Sequence, residues 1–211
     1  MDAALRAQSS REELANALSH ALGCLFALAA WPALAEAAEG RAGTTGLAAA
    51  SVFCATMALQ YAASTACHAL PPGRAKLWAR TLDHAAIFVF IAGSLTPFTL
   101  GVLQGTAGAA TCAVLWALAL TGAVLKLRRR LTGRRLSTGV YLLVAWLALL
   151  IAWPGLRALD GATLAWLLGG AAAYLVGTAF FVYDSALRFG HFVWHVFVLA
   201  GSACHVCAAL R

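Results

Sequence analysis

Residues 82–103 read LDHAAIFVFIAGSLTPFTLGVL. After Asp83 and His84 the run carries no charge to its end. At 1.5 Å per residue, a helix of this length reaches across the roughly 30 Å hydrocarbon core of a bilayer. The run shows no period-two alternation, which is the mark of the short strands in a membrane β-barrel. It therefore predicts a transmembrane helix.

Working outward, six more runs of the same kind flank it. The predicted spans are residues 15–37, 46–68, 82–103, 107–127, 137–154, 162–183 and 191–210. The linkers are short, and the whole chain, 1–211, reads as one seven-helix transmembrane domain with a short lead-in at 1–14. The composition agrees. Of 211 residues, 62% are hydrophobic and 11% charged, and the mean hydropathy is +0.81. A soluble domain is about 45–50% apolar and about 25% charged. That excludes a cytosolic enzyme, a secreted disulfide scaffold and a disordered regulator. The expected fold class is all-α, a polytopic membrane protein with its N-terminus in the cytoplasm.

Charge placement sets that orientation. The net charge is +7, yet most cations lie at the ends of apolar runs, which argues for topology and against nucleic acid. Arg6, Arg11, Arg74, Lys76, Arg80, Lys126, Arg128, Arg129, Arg130, Arg134, Arg135 and Arg188 fall on one side of the predicted membrane. Only Arg41, Arg157 and Arg211 fall on the other. The larger group marks the cytoplasm. Lysine is scarce beside arginine and alanine, which points to a GC-rich bacterial genome and so to a bacterial inner membrane. The six cysteines all lie within spans and read as small apolar packing residues, with Cys67 directed away from the neighbouring His68.

The few polar residues left inside spans fall at one membrane depth. His68 ends the second span, Asp83 and His84 begin the third, and His191 and His195 begin the seventh, all on the cytoplasmic side. His191 and His195 are i, i+4, so their imidazoles share a helix face, and Ser64 stands in the same relation to His68. Three histidine nitrogens plus a water make the pattern of a catalytic zinc site. Zinc generates a nucleophile by lowering the pKa of its water. Asp83 is placed to hold or deprotonate that water, and Ser64 to donate to a developing oxyanion. Metal ligands are thus expected at His68, His191 and His195, with Asp83 and Ser64 catalytic. His20 reads as structural or supporting. His205 lies about 15 Å deeper along its helix than His195 and is outside any shared metal site. Pro97, with Gly93 and Thr96, suggests a kink, and Gly169, Gly170 and Gly177 suggest close helix contact.

The order of these residues resembles a known family. Glu13-x-x-Asn16-x-x-Ser19-His20-x-x-Gly23, Ser64-x-x-x-His68, Leu82-Asp83-His84 with Ile91–Ser94 and Thr96-Pro97-Phe98, and His191-x-x-Trp194-His195 with Gly201-Ser202 and His205 are similar to the signatures of the hemolysin III family. The family groups with the progestin and adipoQ receptors and, more distantly, the alkaline ceramidases. The resemblance implies zinc held by His68, His191 and His195, a water on Asp83 with Ser64 close by, and ceramidase-like hydrolysis of a lipid amide or ester. A membrane lipid is then the expected substrate, with no nucleic acid and no obligatory protein partner. Two alternatives stand beside it: a pore-forming or channel-like protein, which the family name implies, or a receptor-like sensor with structural zinc. Cys67 departs from the family, where an aromatic residue often precedes the histidine.

Overall fold

The computed structural model describes residues 6–211; the first five residues of the lead-in lie outside the described residues. Among the described residues the structure is helical, with no strand. The helices are α1 (Ser10–Ala69), α2 (Arg74–Thr96), α3 (Gly105–Leu127), α4 (Arg134–Leu156), α5 (Gly161–Val182) and α6 (Gly190–Leu210), with a π-helical segment, Pro97–Leu103, after α2. Among the described residues, six helices are long and apolar enough to cross a membrane.

Helix α1 cannot be one straight rod. Its 60 residues would extend about 90 Å, three times the hydrocarbon core. It breaks at Ala42 and Gly43, whose backbone leaves helical geometry; Gly43 takes φ 56°, a left-handed value that glycine adopts without a Cβ penalty. The two limbs, 10–41 and 44–69, then run side by side. Trp31 Nε1 donates to Ser51 Oγ at 3.2 Å, and the His20 and Tyr61 rings lie 5.0 Å apart. The break falls within the linker expected between the first two spans. The helix starts earlier than expected because Ser9 and Glu12 form a capping box, which satisfies free N–H groups of the first turn.

Helix α2 also starts earlier, at Arg74 rather than Leu82. Lys76 is drawn in rather than left in a loop. Its Nζ meets the Leu70 carbonyl at 3.1 Å and Glu13 Oε1 at 3.0 Å. Asp83 consequently sits more than two turns inside the helix, not at its start. At the other end Pro97 supplies no backbone N–H, and the α-helical ladder gives way to the wider π-helical turn. Where a kink is expected at Pro97, the structure has this change of helix type.

Small residues set the packing. Lipid tails are as apolar as leucine, so burial cannot sort one face from another, and close backbone approach does. Gly23 faces the Tyr61 ring and Leu199, each of which a Cβ there would approach to 2.8 Å, and so brings both limbs of α1 onto α6. Gly122 admits Phe88, and Gly177 admits Trp194 and Phe197. Gly170 receives the His205 ring, whereas Gly169 has nothing within 4 Å and makes no such contact. Large apolar residues point outward instead: Leu22 and Leu150 are 65% and 62% exposed. Gly93 is the tightest test, because a Cβ there would overlap the Thr56 side chain. Gly93→Ala is expected to lower stability by about 1–3 kcal/mol through overpacking. Gly139→Ala, in open space, should leave the thermal midpoint of the detergent-solubilised protein unchanged or slightly raised.

Candidate metal centre

The second limb of α1 carries Gln60, Ser64 and His68 one turn apart on one face. Helix α2 brings Asp83, and α6 brings His191 and His195. The structure draws these together. The His68 ring lies 5.0 Å from His191 and 5.1 Å from His195, and the latter two are 4.7 Å apart. One ligand nitrogen from each of the three lies within 4.8 Å of the others.

Each ring is held from behind by its Nδ1. His68 Nδ1 meets Glu13 Oε2 at 2.7 Å. His191 Nδ1 meets Asp184 Oδ2 at 2.8 Å. His195 Nδ1 meets the Asn16 carbonyl at 3.2 Å, with Ser19 Oγ at 3.0 Å. A carboxylate or carbonyl opposite Nδ1 selects the tautomer with its proton there and leaves the Nε2 lone pair free. None of these bonds uses Nε2, and His68 Nε2 is buried without a hydrogen-bond partner. Orientation of an imidazole by an outer acceptor is how proteins prepare histidines for a metal. The donor set therefore fits a divalent ion that favours imidazole, such as zinc.

Asp83 is buried, and Gln60 Nε2 donates to its Oδ1 at 3.0 Å. Ser64, also buried, lies beside it. Cys67 does not point away from the group: its sulfur lies within 4.8 Å of ligand atoms of His68 and Asp83. The helix face predicted for it was right for α1 alone, but α2 packs against that face too. His20 stacks nearly parallel on His195, with centroids 3.5 Å apart, in keeping with a supporting role. His84 faces Phe181 edge-on. His205 stands apart from the three, as its depth requires.

The outer partners are what the sequence reading overlooked. Glu13, Asn16 and Ser19 recur every three residues, a polar stripe on an apolar helix, and that periodicity was a usable signal. Asp184 had none, since it lies in the short α5–α6 connection. It also pairs with Arg134. Burial pushes the Asp184 carboxyl up, but His191 and Arg134 outweigh it and hold it below the ordinary carboxylate value.

A cavity of about 370 Å³ opens from this cluster, a volume within the usual range for small-molecule sites. Asp83, Ser64, His191 and His195 line one end. Phe90, Leu149, Leu167 and Val198 line its length, and His205 is at the far end. Trp146 of α4 and Leu175 of α5 also line it while 53% and 47% exposed, so the cavity reaches the outer surface between those helices.

These features define a multi-pass helical membrane protein with a buried histidine–carboxylate cluster at one end of an apolar cavity. The family model described as Haemolysin-III related matches residues 8–206, and the chain belongs to that family. It is 37% identical over 193 residues to the Hemolysin-3 homolog of Bacillus subtilis (strain 168), spanning 92% of this chain and 90% of that protein. It is 34% identical over 196 residues to Hemolysin-3 of Bacillus cereus, spanning 93% and 89%. No solved structure matches the chain.

Glu13 anchors the cluster to the start of α1, through His68 and Lys76 at once. Glu13→Ala leaves both without this partner and is expected to cost about 1–3 kcal/mol. Glu13→Gln, which retains an acceptor, should lose less in the same thermal unfolding measurement.

Proposed function

We propose that this protein is a zinc-dependent hydrolase of a lipid amide or ester within the membrane. The observation that carries the reading is the arrangement of three histidines: each is fixed through Nδ1 by an outer acceptor and converges on the same point beside Asp83. The resemblance to the progestin and adipoQ receptors and alkaline ceramidases points the same way. The reading includes a chain that crosses the bacterial inner membrane seven times as a single domain. The fold-back of α1 supports that count. The distribution of arginine and lysine supports an N-terminus and histidine cluster on the cytoplasmic side.

His68, His191 and His195 would hold the ion. Zinc supplies Lewis acidity and makes a water acidic enough to yield a nucleophile near neutral pH. Asp83 is placed to accept the proton of the attacking water and to return it to the leaving amine or alkoxide as the C–N or C–O bond breaks. Gln60, donating to Asp83 Oδ1, keeps that carboxylate turned toward the site. Ser64 Oγ donates to the substrate carbonyl oxygen as negative charge develops there. The apolar cavity takes the hydrocarbon chain and keeps bulk water from the reaction. A substrate enters laterally, between α4 and α5, and never has to leave the lipid phase.

Metal analysis and an untargeted screen of lipid hydrolysis on reconstituted protein test this. His191→Ala should remove both zinc and turnover. Asp83→Asn should retain zinc while turnover falls by about 10²–10⁴. Asp184→Asn, which weakens the support of His191 and also the pair with Arg134, should loosen zinc by about 10–100-fold. Stoichiometric zinc in the wild-type protein with no lipid product in any pool would sink the hydrolase reading. Single-channel activity in pure lipid would favour a pore instead.

A further inference from the structure

Cys67 gives the cluster a second set of convergent ligand atoms. Its sulfur, one nitrogen of His68 and one carboxylate oxygen of Asp83 lie within 4.8 Å of one another, the same spread as the three histidine nitrogens. Cys67, His68 and Asp83 are 3%, 9% and 7% exposed, so all three are removed from solvent. The thiol is free. His68 Nδ1 is held by Glu13, and Nε2 is buried without a hydrogen-bond partner. Asp83 is met by Gln60 and Ser64 of α1, and a carboxylate has lone pairs for both and for an ion as well. Arg80 of α2 reaches the Cys67 sulfur, and an N–H donor can remain on a sulfur that binds metal.

Ligands about 2.0–2.3 Å from a tetrahedral ion stand about 3.5 Å from one another. Either set therefore closes on an ion by drawing in about 1 Å. The two sets differ in charge. Three neutral imidazoles leave a divalent ion its full charge, whereas a thiolate and a carboxylate cancel it, and uncompensated charge is costly among apolar helices. They differ in softness too, since a thiolate favours thiophilic ions. We propose that Cys67, His68 and Asp83 form a second ion position, selective for a thiophilic divalent ion, that excludes the ion held by His68, His191 and His195. His68 Nε2 has one lone pair, so it serves one ion or the other. As the thiophilic ion binds, the sulfur–metal bond forms and the thiol proton leaves to solvent. Occupation withdraws His68 and Asp83 from the hydrolytic arrangement together and so turns it off. The exclusion, though not the position itself, rests on the reading that zinc sits among the three histidines.

Cadmium added to the zinc-loaded full chain in nanodiscs tests this. The readouts are ultraviolet difference absorption, where a thiolate on cadmium shows a charge-transfer band, and assay of released zinc. One zinc should leave for each cadmium that raises the band, and lipid hydrolysis should stop with it. Cys67→Ser should lose the band and, at the same cadmium, keep its zinc and turnover. His191→Ala lacks a ligand of the three-histidine position only and should still raise the band, whereas His68→Ala should not. No band in the wild-type protein overturns the position, as does a band that survives in Cys67→Ser, which would come from other cysteines. A band lost in His191→Ala puts the sulfur on the three-histidine ion and overturns a separate position. A band that rises with all zinc retained overturns the exclusion. The wild-type measurements decide even if the variants do not fold. Wild-type protein that raises the band but carries no zinc upholds the position and removes the three-histidine zinc. Zinc and turnover without a band do the reverse.

Discussion

The rest of the structure depends on α1 closing on itself. A backbone break at Ala42 and Gly43 turns a run too long for any bilayer into two adjacent limbs. That closure sets Glu13 against His68 and His20 against Tyr61, residues more than forty positions apart. Helix α6 then packs on both limbs through Gly23, Tyr61 and Leu199. His195 reaches the Asn16 carbonyl only because both contacts are in place. In hydrocarbon no water is at hand to satisfy a stray carboxylate or imidazole. The polar groups must therefore find one another, and the two limbs of α1 supply partners to α2 and α6 as well as to each other.

The histidine cluster is better understood with the residues that hold it from behind than as three imidazoles alone. The inner residues come from the end of α1, the start of α6 and the interior of α2. The outer ones come from the first turns of α1 and from the α5–α6 connection. Glu13 and Asp184 are each shared with a cation, Lys76 and Arg134 respectively. This sharing gives the Glu13 and Asp184 carboxylates a cationic partner each, and it ties the imidazoles to the same turns that terminate the helices.

Much of this was legible in the sequence. Long apolar runs gave each helix, with ends displaced by a few residues. His68, Asp83, His191 and His195 were legible because polar groups in apolar runs are costly and few. The start of α2 was not, because Arg74, Lys76 and Arg80 look like a loop until Lys76 is seen paired with Glu13. Asp184 was hidden for a related reason: a carboxylate in a connection has no period to betray it. The proximity of Cys67 to Asp83 depends on where α2 packs, and spacing along α1 alone is silent on that.

The inverted distribution of size has its own consequence. Leucines such as Leu22 and Leu150 face outward, while glycines such as Gly23, Gly93 and Gly122 sit where helices meet. In a water-soluble protein, enlarging a surface residue is harmless and shrinking a core residue is harmful. Here the sensitive direction is growth at the interior, one methyl at a time, and the outer leucines can be exchanged for any large apolar residue. Hydropathy is blind to that difference, since glycine-to-alanine changes it little. The molecule's specificity of folding therefore resides in its smallest side chains, and the membrane, indifferent to which leucine it touches, contributes only the confinement.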